Sequence, residues 1–140
     1  MRDILFKAKR IDNGEWVEGF YIKKHDETGK SRHYIYISKS CIIWEYAEVD
    51  EKTICQYTGL TDKNGNKIWE NDVVKGNYWE RGNSHIHIGI IKYIGNAFKV
   101  VGVKQYEGYH DELNGSYERV GNIFDNPEPV RGNEYEHDGE

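Results

Sequence analysis

Proline and cysteine each occur only twice in the 140 residues, and methionine once. Alanine is confined to Ala8, Ala47 and Ala97, and leucine to Leu5, Leu60 and Leu113. These are two of the strongest helix formers, so their scarcity argues against a helical protein. A chain of this length buries roughly two-thirds of the surface its unfolded form exposes, so it needs neither disulfide nor metal to fold. Cys41 and Cys55 stand in strand-like surroundings, Ser40-Cys41-Ile42 and Ile54-Cys55-Gln56. They read as reduced, buried thiols, with a disulfide as the alternative. No apolar run approaches the ~18 residues of a membrane span. The start, Met1-Arg2-Asp3 into Ile4-Leu5-Phe6-Lys7, lacks a signal-peptide pattern, so the expected location is the cytoplasm.

A basic excess is also missing. The chain carries 24 acidic and 19 basic residues, for a net charge of −5. From Asp125 to the end there are six acids (Asp125, Glu128, Glu134, Glu136, Asp138, Glu140) against Arg131 alone. Everything before Asp125 is therefore formally neutral. That excludes the strongly basic footprint of a duplex DNA binder.

What the chain has instead is aromatic side chains, 14% of all residues, with eleven Tyr and four Trp. They suit half-buried pleated strands. A hairpin opens the chain: residues 4–11, the turn Asp12-Asn13-Gly14, then Glu15 to Ile22. In its second arm Trp16, Glu18 and Phe20 fall on one face and Val17, Gly19 and Tyr21 on the other, which predicts cover on both sides. Strands are expected at 33–37, 41–49 and 53–57, followed by a turn at Asn64-Gly65. Segments at 68–69 and 72–75 come next. The clearest pair is His85–Tyr93 and Ala97–Val103 around Gly95-Asn96, with Ile86, Ile88 and Ile90 on one face. Residues 104–117 read as a polar loop with one helical turn near Asp111-Glu112-Leu113, and a last strand runs over 117–124. Pro127 and Pro129 end regular structure, and residues 131–140 read as an acidic disordered tail. The pattern is all-β, a small barrel or sandwich.

Sequence chemistry is sparse. Asp62, Asn64 and Asn66 alternate as in a calcium loop, but Lys67 stands where Gly belongs and Val73 where a bidentate Glu belongs. His85 and His87, two apart on one strand face, have the spacing of two metal ligands. Two exposed histidines on the polar face of the strand explain them equally well. No nucleophile motif, P-loop or dinucleotide fingerprint occurs, so no catalytic residue and no cofactor is assigned. Lys23, Lys24, Lys30 and Arg32, beside Tyr34, have the make-up of a single-strand nucleic-acid groove in which bases stack on aromatics. A solvated loop between aromatic strands is the competing reading.

Three segments carry a family resemblance. The first runs Gln56-Tyr57-Thr58-Gly59-Leu60-Thr61-Asp62-Lys63-Asn64-Gly65 and on through Ile68-Trp69-Glu70-Asn71-Asp72-Val73-Val74. The second is Val120-Gly121-Asn122-Ile123-Phe124-Asp125-Asn126-Pro127-Glu128, and the third Gly14-Glu15-Trp16-Val17-Glu18-Gly19. Together they resemble the YopX-like family of phage and prophage proteins from low-GC Gram-positive bacteria. Asn71 departs from the family's usual Gly, a position where Asn tolerates the left-handed backbone. Pro129 departs from its usual apolar residue. The resemblance implies one domain over 1–130, divisible at 57/58, with an N-terminal hairpin-based part and a second half similar to an SH3-like barrel. It supplies no established activity. The reading is a non-enzymatic phage or prophage accessory protein that acts through a protein surface, by self-association or with a protein partner. A single-strand nucleic-acid binder is the alternative, and a metal-dependent enzyme at His85 and His87 the third.

Overall fold

The computed structural model describes residues 4–127, whose regular structure is antiparallel β-strand apart from two 3-10 turns, Glu51–Thr53 and Lys104–Tyr106. The acidic tail lies outside the described residues. The chain divides into two compact units between Gly59 and Leu60.

In the first unit, β1 (Phe6–Lys9), β2 (Trp16–His25), β3 (Ser31–Ser38) and β4 (Trp44–Glu48) pair in the order β4-β3-β2-β1, and β5 (Cys55–Thr61) joins β1. A bridge between Arg10 and Val49 draws the end of β1 to the end of β4. The strands thus wrap around Ala8, Ile35 and Val49, with Phe6, Val17, Tyr21, Ile37 and Ile54 packed on them. Each fully buried Val or Ile contributes about 1.5–3 kcal/mol relative to exposure.

In the second unit, β6 (Lys67–Trp69) follows β5 across the Asp62–Asn66 turn. β7 (Asp72–Glu80), β8 (Asn83–Ile94), β9 (Ala97–Gly102), β10 (His110–Glu112) and β11 (Glu118–Asn122) form a sheet ordered β10-β9-β8-β7-β11. β10 and β11 stand at the two ends of that order. One face packs Ile68, Val74, Ile91, Val100 and Tyr117 with Phe98 and Leu113. The other packs Val73, Ile90 and Val103 with Ile88 and Ile123. β7 and β8 continue pairing beyond their neighbours to Glu80 and Asn83, forming a two-stranded arm with Trp79 and Ile86 exposed.

Three expectations need correction. The helical turn near Asp111 is strand β10, paired to β9 through His110↔Val101 and Glu112↔Lys99. An edge strand needs only backbone pairing, so its polar sequence hid it. Cys41 is exposed in the β3–β4 connection, whereas Cys55 is buried, and both are free thiols. The cover expected on both sides of β2 is missing from its outer face, where Phe20 and Ile22 stay exposed.

Candidate functional site

That open face gathers several of the exposed large apolar side chains of the first unit. Side chains alternate along a strand, and the inward set is fixed by Val17, Tyr21, Ile35 and Ile37 in the core. The remaining set must point out. Register places Phe20 opposite Tyr36 and Ile22 opposite Tyr34, then Tyr36 opposite Tyr46 and Ser38 opposite Trp44. The rings form one sheet of contacts: Tyr36 stacks on Tyr46 at 5.4 Å, Tyr34 meets Tyr46 edge-on at 5.7 Å, and Phe20 lies 6.1 Å from Trp44. Phe20 is 49% exposed, Trp44 52% and Tyr46 64%. Next to them Ile42 is 83% exposed and Ile43 54%. Contiguous exposed apolar patches of more than a few hundred Å² are uncommon on monomeric proteins.

Of the five residues read as a nucleic-acid groove, the structure brings Lys24, Arg32 and Tyr34 to this face and leaves the other two elsewhere. Lys24 Nζ donates to the Tyr36 hydroxyl at 3.0 Å and lies 5.6 Å from the Tyr34 and Tyr36 ring centres. Its pKa is raised chiefly by the Tyr36 hydrogen bond. Arg32 is committed to two carboxylates, Asp26 at 3.3 Å and Glu48 at 3.1 Å. Asp26 is held down to about 2, first by the Thr28 hydroxyl and then by the Lys30 and Thr28 backbone N–H groups and Arg32. Lys23, opposite His33, belongs to the inward-facing set of β2, and Lys30 precedes β3. Lys30 and Arg32 line a cleft of about 380 Å³, but Glu48, Asp50 and Glu51 line it too. No continuous cationic groove results. Beside this cleft buried His33 joins Tyr21 and Glu51, with Nδ1 2.6 Å from the Tyr21 hydroxyl and Nε2 3.4 Å from Glu51 Oε2.

The two histidines of β8 do share a face, but it is the core face and not a polar one. His85 stacks on Tyr78 at 5.2 Å near the arm. His87 is completely buried among Tyr78, Tyr106, Tyr109 and Tyr117. Two glycines make the room: a Cβ at Gly76, opposite His87, would stand 2.5 Å from the Tyr117 ring, and one at Gly102 would meet the Tyr106 carbonyl and stand 3.0 Å from His87 Nε2. The Tyr117 hydroxyl donates to Asp111 Oδ2 at 3.0 Å and lies 2.8 Å from His87 Nδ1. Nε2, fully buried, makes no hydrogen bond. Burial lowers the imidazole pKa against the opposing pull of the Tyr109 carbonyl and Asp111, so the ring is neutral near pH 7. Burial first, and Asp111 second, raise the Tyr117 phenol. Among the described residues no three His, Cys, Asp or Glu side chains gather as a metal site.

The recurring segments serve the backbone. Asp62 accepts the N–H groups of Asn64 and Asn66 at 2.9 Å each and of Arg119 at 3.0 Å. Burial would raise this carboxyl, but those donors outweigh it and hold it below its ordinary value. Its oxygens are engaged by the Asp62–Asn66 turn and by the backbone of Arg119 on β11. Asn71 takes a positive φ of 70°. It donates to Ile91 and accepts from Ile123 through the backbone, and its Oδ1 accepts from Lys92 Nζ at 2.9 Å. Asn122 Oδ1 caps the turn by accepting the Phe124 and Asp125 N–H groups.

The model of the YopX protein family matches residues 5–130. No curated protein matches the chain. Among solved structures, the crystal structure of protein EF1440 from Enterococcus faecalis is similar, at 19% identity and a TM-score of 0.49, over 93% of this chain and 99% of that one. No helix among the described residues is long and apolar enough to cross a membrane.

Proposed function

The chain belongs to the YopX protein family, and on that premise we propose that it is a non-enzymatic module of phage or prophage origin. It works in the host cytoplasm by self-association through the outer face of β2, β3 and β4. The observation that carries this is the open row Phe20, Ile22, Trp44 and Tyr46, continued by Ile42 and Ile43. These six side chains leave on the order of 600 Å² open, close to the roughly 800 Å² per partner of a standard interface.

A second copy fits this face because the face is electrically balanced. Arg32 is paired with Asp26 and Glu48, Lys24 donates to the Tyr36 hydroxyl, and Glu18 stands opposite Lys7. Two such faces meet without like-charge repulsion. Aromatic rings with a polar tip are the side chains interfaces favour. The competing reading, a single-strand nucleic-acid platform, is supported by Lys24 over two tyrosine rings. It is weakened by Arg32, whose charge two carboxylates already neutralise. Light scattering tests the reading: the protein is expected to run heavier than its 16.4 kDa monomer, and Tyr46→Lys is expected to return it to monomer.

A further inference from the structure

We propose that residues 103–112 form a lid over His87, and that the lid opens in acid when the imidazole takes up a proton from solvent. The device lies wholly in the second unit and is independent of the β2–β4 face.

Closed, the site suits only a neutral ring. His87 is completely buried. Tyr106 and Tyr109 of the lid stand edge-on to it at 5.8 and 5.0 Å, and Tyr109 in turn stacks on Tyr78 of β7 at 4.2 Å. An imidazolium carries an N–H on both nitrogens. Nδ1 has the Tyr117 hydroxyl at 2.8 Å, but Nε2 makes no hydrogen bond. The backbone acceptor that faces the ring, the Tyr109 carbonyl, already takes the Gly102 N–H at 2.9 Å. Charging the ring behind the lid therefore leaves a buried donor unmatched and a cation away from water. Lifting the lid gives both to solvent.

The lid is also the wall that yields most easily. Val103 alone among residues 103–112 is buried, and β10 is paired on one side only, to β9. The chain bends at Lys104 and Gly108 through left-handed backbone, φ 57° and 90°, a conformation that is strained for a lysine. By contrast Tyr117, on the other side of the ring, packs with Val74, Ile91 and Val100 in the core. A segment with few buried contacts opens locally while such a core stays folded. Among the charged groups near the ring, Asp111 favours the imidazolium and His110 opposes it, and the lid carries both. His85 stacks on Tyr78, and Glu80 acts on Tyr109. The four tyrosines around the ring gain no proton in acid.

Amide exchange followed by NMR tests this, with each rate normalised to the unstructured rate at the same pH. An exposed imidazole titrates near pH 6.5. Below that, the open lid binds a proton that the closed lid refuses, so opening at pH 5.5 gains at most about tenfold over pH 7.5. The Tyr106, Glu107 and Tyr109 amides, bonded within the lid, should exchange faster than those of Ile91 and Val100. They should also ignore low urea, because local opening exposes little surface. Their protection should fall toward the tenfold limit in acid, and His87→Gln should remove the fall. Because that substitution is buried, the wild-type His87 ring is titrated alongside; the fall should start near pH 6.5 and level off where the ring titrates. Lid amides that share the rates and urea response of Ile91 and Val100 would mean that the segment opens only with the whole unit, which overturns the proposal. Protection that holds while His87 titrates overturns it too, as does a fall that persists in His87→Gln.

Discussion

The His87 imidazole and the Tyr117 phenol, thirty residues apart in the chain, lie 2.8 Å apart in the second unit, with both side chains fully buried. The pair has a consequence for stability against pH. The folded pKa of His87 is lowered from the ordinary 6.5, so below that value the unfolded chain binds a proton that the folded chain refuses. Stability is then full above about pH 6.5 and falls as the pH drops below it. The groups that face the ring are Asp111, His110 and the four tyrosines, and the carboxylates held low, such as Asp26 at about 2, titrate in a more acidic window. Urea midpoints at pH 7.5 and 5.5 should differ, and His87→Gln should shrink the difference. An unchanged difference in the variant would place the titration elsewhere.

Tyr117→Phe removes the hydroxyl between His87 and Asp111 while keeping the ring. The loss should be about 1–3 kcal/mol, because it strands a buried partner. Chemical denaturation measures it. A neutral substitution would mean that the chain of bonds contributes nothing to folding.

At Asn71 the backbone φ of 70° costs any residue with an ordinary Cβ roughly 1–2 kcal/mol. Asn71→Ala should therefore destabilise more than Asn71→Gly, although both lose the Lys92 contact. The reverse order would contradict the conformational argument.

Much of the fold was legible because turn chemistry is local. Gly95, with φ 67° at the β8–β9 turn, follows from neighbouring residues alone. The burial of His87 was not legible, because it depends on Gly76 and Gly102 lying beside it in a sheet, a relation the sequence does not place side by side. The open aromatic face was misread for a different reason. Alternating apolar residues show that a strand has two apolar faces, but not whether anything covers each. Lys24, Arg32 and Tyr34 share the outer face, yet the carboxylates that neutralise Arg32 come from residues 26 and 48, a non-local pairing for the second.

Single-stranded oligonucleotides should show no saturable binding at physiological salt. With Arg32 paired and Lys23 and Lys30 off the face, too few free cations remain to release counterions. Filter binding or anisotropy checks this. Micromolar, salt-sensitive binding that Tyr34→Ala weakens would make the face a base-stacking platform instead.

The central claim is that the open face of β2, β3 and β4 is where copies of this chain meet, and multi-angle light scattering over a range of micromolar concentrations tests it most directly. The wild-type chain should be heavier than 16.4 kDa, and Tyr46→Lys should be a folded monomer with an unchanged circular dichroism spectrum. A wild-type chain that stays monomeric at every concentration, or a Tyr46→Lys variant that associates as the wild type does, would contradict it.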